Sequence, residues 1–220
     1  MKILGKLFGS EARVKMLRLF LFNPNDVYDN AEVARRAKVY PSTARRELAL
    51  LRQVGVVKKK KVYRELVRKD HGHFIARRGR VSGWGLNEKF QYLGALQGFL
   101  LGTAPFQQNE IAKLLERVGR LKLIVIAGVF LQDFDSRVDL LIVGDNIKKA
   151  VLENAIKNIE AELGKELRYA VFSTSDFEYR LNVYDKLIRD VLDYPHQKVV
   201  NRLHWSKTQE SRSDFSTSAK

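Results

Sequence analysis

The stretch Asn30–Lys61 constrains the fold most, because two short amphipathic segments with a tight connection precede a run of four lysines. In the second segment Ala44, Leu48 and Leu51 recur at helical spacing and predict one buried stripe. Pro41 suits the first position of this helix, since its missing N–H would have no partner there. The opposite side is small, polar and cationic, with Ser42, Arg45, Arg46, Ala49 and Arg52.

The first segment, about residues 30–37, predicts a helix with Asn30 as its capping residue. This helix would bury Val33, Ala34 and Ala37, and it would leave Arg35, Arg36 and Lys38 exposed to solvent. Two such helices joined by a short turn match the helix-turn-helix pattern, in which the second helix reads DNA. The alternative is a structural helical hairpin whose arginines are only solvated. Tyr40 stands where a Ser, Thr or Asp cap is usual, so either the second helix starts weakly or Tyr40 touches DNA.

A long basic β-hairpin is predicted behind the second helix. Gly55 is expected to end that helix, and a strand begins at Val56 and runs through the lysines to Val67. Residues 70–73 give a turn signal, a second β-like segment covers 74–81, and residues 82–85 are expected to close the hairpin. Such a hairpin is the wing of a winged helix, whose basic side chains neutralise phosphates. The alternative is a solvated edge strand that its charge protects from aggregation.

The net charge of +15 is concentrated in the first half of the chain. Residues 1–103 hold 22 Lys and Arg against 8 Asp and Glu, which gives +14, whereas residues 104–220 hold 18 against 17, which gives +1. A positive electrostatic field that is concentrated on one domain predicts a polyanionic partner for that domain. Nucleic acid is favoured over a membrane surface, because no basic amphipathic helix shows an exposed apolar face.

Several other classes of site are not predicted. The chain has no cysteine, which excludes a disulfide framework, a thiol nucleophile and a cysteine-based zinc site. His71 and His73 at the hairpin tip lack a third ligand, so no metal is expected there. No apolar run approaches the roughly 20 residues that span a bilayer. We therefore expect a cytoplasmic protein without membrane contact.

The rest of the chain predicts further helices and strands. A helix over 10–22, capped by Ser10, would support the helix-turn-helix, and a helix over 90–101 either covers the first core or pairs with its copy in a dimer. Beyond a domain boundary at 102–105, helices are expected at 109–118, 148–163, 176–183 and 186–192, and strands at 121–128, 138–143 and 167–172. The fold class is α+β or α/β, with an N-terminal winged helix-turn-helix domain (residues 1–103), a small α/β domain with a short mixed sheet (104–204) and a disordered tail (205–220).

The second domain resembles the minimal nucleotidyltransferase domain. A strand ending at Gly128 is followed by a loop and then by the sequence SRVDLLIV, where that family has Gly-Ser after its first strand and Asp-x-Asp on its second. Two carboxylates so spaced share two Mg²⁺ ions. Here Val129 replaces the Ser and Arg137 the first Asp, so only Asp139 remains, and Arg137 is expected to pair with it. The resemblance implies a vestigial nucleotide site at Gly128, Arg137 and Asp139, with no metal and no cofactor.

About residues 7–203 resemble prokaryotic winged-helix proteins fused to a degenerate nucleotidyltransferase domain, which are generally taken for transcriptional regulators. The resemblance is carried by FGSEARVKMLRLFLFNP, PSTARREL, the Gly-Trp after the wing, VDLLIVGD and DFEYRLNVYDKLIRDVL.

The chain is therefore predicted to be a homodimeric, sequence-specific regulator that binds double-stranded DNA. The recognition helix would contact the major groove and the wing the phosphates, through Tyr40, Ser42, Thr43, Arg45, Arg46, Arg52, Lys58, Lys59, Lys60, Lys61, Arg77, Arg78 and Arg80. The second domain would be a catalytically degenerate module for dimerisation or for sensing a small-molecule or nucleotide effector. The alternative is a Mg²⁺-dependent, antitoxin-like nucleotidyltransferase that uses the winged helix for targeting. RNA suits a recognition helix less well, because its major groove is deep and narrow.

Overall fold

The chain is a mixed α+β fold in the computed structural model, which describes residues 2–70, 73–102, 106, 108–133 and 135–203. The side chains of residues 2, 64–70, 73–78, 80, 108 and 109 are outside that description. The first half contains α1 (Lys2–Leu7), α2 (Glu11–Phe22), α3 (Asn30–Arg36), α4 (Pro41–Val54), β1 (Val57–Asp70), β2 (His73–Leu86) and α5 (Leu93–Gly102). The second contains α6 (Gln108–Leu115), β3 (Arg120–Ile126), β4 (Leu140–Asp145), α7 (Lys149–Leu163), β5 (Tyr169–Phe172), α8 (Thr174–Asn182), α9 (Lys186–Leu192) and β6 (Gln197–Asn201).

The caps of the first helices confirm one sequence prediction and correct another. Ser10 accepts a hydrogen bond from the Arg13 N–H, as expected for the cap of α2. The prediction that Asn30 caps α3 is wrong, because Asp29 accepts from the Glu32 N–H and the Glu32 carboxylate accepts from the Asp29 N–H. This reciprocal pair satisfies two N–H groups that the helix leaves without partners. Asn30 instead accepts a 2.7 Å bond from the indole N–H of Trp84.

The β-hairpin is longer than the sequence pattern predicts. β1 and β2 pair in register from Val57 opposite Leu86 to Asp70 opposite His73, so residues 82–85 continue the strand and do not close it. At the base, Tyr28 exchanges two backbone hydrogen bonds with Trp84, of 2.9 and 2.7 Å. Gly83 is required here, because a Cβ would lie 2.7 Å from the Tyr28 carbonyl oxygen. Of the turn predicted at residues 70–73, Asp70 and His73 lie in the strands, and residues 71 and 72, with His71, lie outside the described residues.

The first hydrophobic core lies beneath α2, α3, α4 and the hairpin base. Its buried residues include those predicted to be buried on α3 and α4. α5 begins at Leu93, three residues later than the periodicity predicts, because the chain from Asn87 to Phe90 makes a tight turn first. Leu100 of α5 is fully buried in this core. α5 therefore covers part of the first core, and its pairing with a copy in a dimer stays a prediction.

The second half of the chain is a four-stranded sheet with helices on both faces. Among the described residues the strand order is β5-β4-β3-β6, in which the β4–β5 pair is parallel and the other two pairs are antiparallel, so the sheet is short and mixed as predicted. One face of β3 and β4 packs against α6 and α7, and the other face packs against α8 and α9. Because both faces are covered, these strands read as continuous apolar runs.

Several boundaries in this half differ from those predicted. The helix expected over 109–118 ends at Leu115 and continues as one 3₁₀ turn, Glu116–Val118, which leaves Leu114 exposed. The strand expected to begin at residue 167 begins at Tyr169, and β6 was not predicted at all. The domain boundary predicted at 102–105 and the tail predicted from residue 205 fall largely outside the described residues.

The two halves meet where α2 packs against α7. Arg18 is buried, and its guanidinium donates to the carbonyl oxygens of Leu100 at 3.2 Å and Glu162 at 3.1 Å. Burial lowers the pKa of Arg18, and the charge of Glu162 opposes that change. α7 ends at Gly164, where a Cβ would come within 2.5 Å of the backbone of α2. The backbone at the end of α7 therefore packs directly against the backbone of α2, and the buried Arg18 side chain lies beside this contact.

None of the described helices combines the length and the apolar character that crossing a membrane requires.

Candidate nucleic-acid interface

α4 presents one buried face and one exposed face. Ala44, Leu48 and Leu51 are buried, as predicted. The exposed positions are Ser42, Arg45, Arg46, Ala49 and Arg52, whereas Thr43 is half-buried. Gly55 ends the helix in the left-handed conformation, with φ of 88°. The side chains predicted to read bases therefore stand together on one accessible surface.

A buried ion pair that the sequence pattern did not predict fixes α4 on α2. Glu47 is 2% exposed and accepts a 2.9 Å hydrogen bond from Arg13 Nε of α2. Arg13 also donates to the Phe8 carbonyl at 2.6 Å. Arg46 lies on the outer side, with its guanidinium 3.7 Å from the Glu47 carboxylate. Glu47 thus links α4 to α2 through Arg13 and places one negative charge near Arg46.

The start of α4 is open. Tyr40 occupies the cap position, makes no capping hydrogen bond through its side chain and is 81% exposed. Pro41 follows as the first helical residue, as predicted. The N–H groups of the first turn carry the positive end of the helix dipole, so an anion is favoured beside them.

An open groove of about 830 Å³ runs between α3 and the start of α4. Three cations line it, namely Arg35, Lys38 and Arg45. The sequence pattern predicts that the side chains of Arg35 and Lys38 are exposed, but it does not identify them as DNA-binding residues. Lys38 lies in the turn after α3, with φ of 49°, so helical spacing alone does not bring it beside Arg35.

The four lysines of β1 have different environments. Lys59 lies over the ring of Trp84, with 3.8 Å between Nζ and the ring centroid, and Lys61 is exposed. Lys58 is half-buried. Lys60 donates a 2.8 Å hydrogen bond to Glu88, and this contact lowers the pKa of Glu88. A phosphate would therefore compete with Glu88 for Lys60 but would meet Lys61 directly.

The three arginines predicted on the returning strand are described only by their backbone. Arg77, Arg78 and Arg80 lie in β2 opposite Leu66, Glu65 and Tyr63, respectively. Their side chains are outside the described part of the structure.

The residues of the predicted vestigial nucleotide site form a closed hydrogen-bonded unit. Asp139 is fully buried, and its Oδ1 accepts from the Val129 N–H at 2.9 Å. Its Oδ2 accepts from the Arg168 N–H at 2.9 Å and from Arg168 Nε at 3.2 Å. The predicted Arg137–Asp139 pair is therefore wrong. Arg137 is exposed and pairs with Asp190, with 3.2 Å between Nε and Oδ2.

This unit also explains Gly128. Its φ of 55° is left-handed, and the Asp139 carboxylate occupies the place that a Cβ would need. A carboxylate binds Mg²⁺ through free lone pairs on its oxygens, whereas both oxygens of Asp139 already accept hydrogen bonds. No group of three or more His, Cys, Asp or Glu side chains arranged for a metal ion occurs among the described residues.

No protein-family model matches this chain, and neither a curated protein nor a solved structure matches it. What the surface can bind therefore follows from its own residues.

Proposed function

We propose that the protein is a sequence-specific transcriptional regulator that binds double-stranded DNA. The exposed cationic face of α4 carries the proposal, because its polar side chains stand together beside the groove and the base of a basic hairpin. In this proposal, α3 and α4 are a helix-turn-helix and the β1–β2 hairpin is its wing. Such a protein acts where the chromosome is, which in a prokaryote is the cytoplasm.

Recognition would divide between two elements. Ser42, Thr43, Arg45 and Arg46 would reach base edges in the major groove, with Tyr40 and Arg52 at its margins. The wing would neutralise phosphates and so add affinity without reading sequence, through Lys58, Lys59, Lys60, Lys61, Arg77, Arg78 and Arg80. The charge of +14 on residues 1–103 supports a polyanionic partner for this half.

The decisive experiment selects bound duplexes from a random library and then titrates salt on the best site. We expect one enriched motif and an affinity that falls linearly on a log–log plot, with a slope of about −0.9 per phosphate contact. Helix-turn-helix proteins commonly bind two half-sites as dimers, so a two-fold symmetric motif together with a dimer mass by light scattering would support the proposed homodimer. No enriched motif and no salt dependence would overturn the regulator proposal.

The second domain is proposed to be a degenerate nucleotidyltransferase-like module that has kept the fold. The Asp139–Arg168 contact supports this role, because it satisfies both oxygens of the remaining carboxylate. Incubation with each radiolabelled nucleoside triphosphate and Mg²⁺ tests it. Transfer of label that disappears in Asp139→Asn would establish the enzymatic alternative instead. A titration with nucleotides and other small molecules, followed by DNA binding, would test the proposed sensing role.

A further inference from the structure

We infer that the second domain contacts DNA directly, through an amide pair on α7 that joins the helix-turn-helix at Lys38. The pair is Asn154 and Asn158, one helical turn apart. This inference rests on the proposed DNA binding and adds a phosphate contact to it. It gives the second domain a place in the interface beyond dimerisation or sensing.

The contact begins at the turn between α3 and α4. Lys38 adopts a left-handed backbone conformation, with φ of 49°, which residues other than glycine rarely adopt. Its ammonium donates to Asn154 Oδ1 at 2.8 Å and to Asn158 Oδ1 at 2.5 Å. Lys38 and Asn154 are exposed, and Asn158 is half-buried. The turn of the helix-turn-helix is thus joined to the second domain at the protein surface.

The chemistry of the two amides fixes which way they face. A lysine ammonium only donates, so each asparagine must turn its carbonyl oxygen toward Lys38. The Nδ2 groups of Asn154 and Asn158 therefore face away from Lys38 and offer two N–H donors each. Together with the ammonium they form a set of donors, which suits the oxygens of a phosphate.

This set of donors is continuous with the groove between α3 and α4. Lys38 lines that groove together with Arg35, Tyr40 and Arg45. A duplex that places bases against α4 runs its backbone past the start of that helix. On the side of Lys38, α7 presents Asn154 and Asn158.

Ion pairs beside the contact neutralise acidic groups and hold the domains together. Glu166 pairs with Arg36 at 2.8 Å, and Glu162 pairs with Lys15 at 2.8 Å. These two acids between α7 and the helix-turn-helix are thus matched by cations, whereas Glu153, next to Asn154 on α7, takes part in neither pair. A DNA phosphate that approaches Asn154 would meet the two amides and the ammonium, with the half-buried Glu153 beside them.

Tethered cleavage tests the inference, because the natural chain has no cysteine and accepts a single labelled one. Asn154→Cys carries an iron–EDTA group that cuts DNA sugars near it once ascorbate and peroxide are added. The probe is the best duplex from the selection described above. Ala49→Cys on the exposed face of α4 is the positive control, and Asn182→Cys on α8 is the matched negative control.

We expect Asn154→Cys to cut at a defined position beside the sites cut from Ala49→Cys, and Asn182→Cys to cut nowhere. Cleavage from Ala49→Cys without cleavage from Asn154→Cys would overturn the inference and leave the proposed function intact. Cleavage from none of the three, for variants with the circular dichroism spectrum of the natural protein, would count against the proposed function as well.

Affinity gives a second readout. The double variant Asn154→Asp, Asn158→Asp replaces the outward amides by carboxylates, whereas Asn182→Asp, Asn201→Asp makes the same change of charge on exposed residues elsewhere. The first is expected to weaken binding by about tenfold relative to the second, as the loss of two ordinary hydrogen bonds implies. Equal affinities for the two double variants would contradict a contact by α7.

Discussion

Arg45 and Lys61 are both exposed cations, and different tasks are proposed for the elements on which they stand. Arg45→Ala is expected to lower the preference for the selected site over a site with one altered base pair by about tenfold, because a bidentate arginine–guanine contact contributes about 1–3 kcal/mol. Lys61→Ala should instead weaken binding to all sequences alike and reduce the salt slope by about 0.9. Fluorescence anisotropy with matched duplexes measures both effects. The same uniform loss in both variants would refute the division between helix and wing.

Glu88 restrains one lysine of the wing. Glu88→Gln removes a negative charge and frees Lys60, so DNA binding is expected to strengthen and the salt slope to steepen by up to about 0.9. The control is Glu178→Gln, which makes the same charge change on an exposed residue of α8. An unchanged slope in Glu88→Gln would show that Lys60 does not reach a phosphate.

The stability of the start of α8 is expected to depend on pH through the ionisation of Asp145. The Thr174 N–H and hydroxyl donate to its carboxylate, and these bonds lower the pKa of Asp145 below its ordinary value of 3.8. The stability they contribute is therefore present above pH 3.8 and is lost as the pH falls through the lowered pKa. Thr174→Val removes the hydroxyl donor, so it should reduce the free energy of unfolding at pH 7 and have progressively less effect below pH 3.8. Urea denaturation across this range measures the difference, and an effect that did not change with pH would contradict the assignment.

At the scale of elements, α4 trades stability for an accessible start. Tyr40→Ser supplies the missing cap and is expected to raise the free energy of unfolding by about 0.5–1 kcal/mol. DNA affinity should fall at the same time, since Tyr40 is proposed to lie at the margin of the groove. Tyr194→Ser, on another exposed tyrosine, should change neither quantity. A gain in stability without a loss of affinity would place Tyr40 outside the interface.

Periodicity predicted those elements that bury one face of their own. α2, α4 and α7 lie close to their predicted ranges, because each carries its own apolar stripe and its own start or stop signal. β6 offers only Val199 and Val200 between polar residues, and its strand character depends on pairing with β3. A segment that is completed by a distant partner gives little signal of its own.

The same limit applies to the candidate site. The exposed face of α4 was predictable, since helical spacing alone decides which side chains share a face. The partners of Lys38 lie 116 and 120 residues away, and those of Arg18 lie 82 and 144 residues away. Asp139 was matched with the nearby Arg137, whereas the fold brings Arg168 to it from 29 residues away. The spacing of residues within one segment cannot predict these contacts, because their partners lie in distant segments.

At the scale of the whole molecule, Arg18 is expected to make the two halves unfold together. Arg18→Ala would leave the Leu100 and Glu162 carbonyls without this donor and open a cavity, at a cost of about 2–5 kcal/mol. Calorimetry should show one transition for the natural protein and two for the variant. Arg52→Ala, on an exposed arginine, should stay within about 0.5 kcal/mol of the natural protein and keep one transition. A single transition in Arg18→Ala would show that the halves are coupled by other contacts.

The glycine at the end of α7 bears on how such a chain can evolve. Because Gly164 touches the backbone of α2, any residue with a side chain there would push the halves apart. A gene fusion that joined the first half to a different second domain would lose that fit and expose Arg18 to water. The two halves are therefore expected to be inherited as one unit. Exchange of domains between such proteins should succeed only where the contact surfaces of both halves are exchanged as a pair.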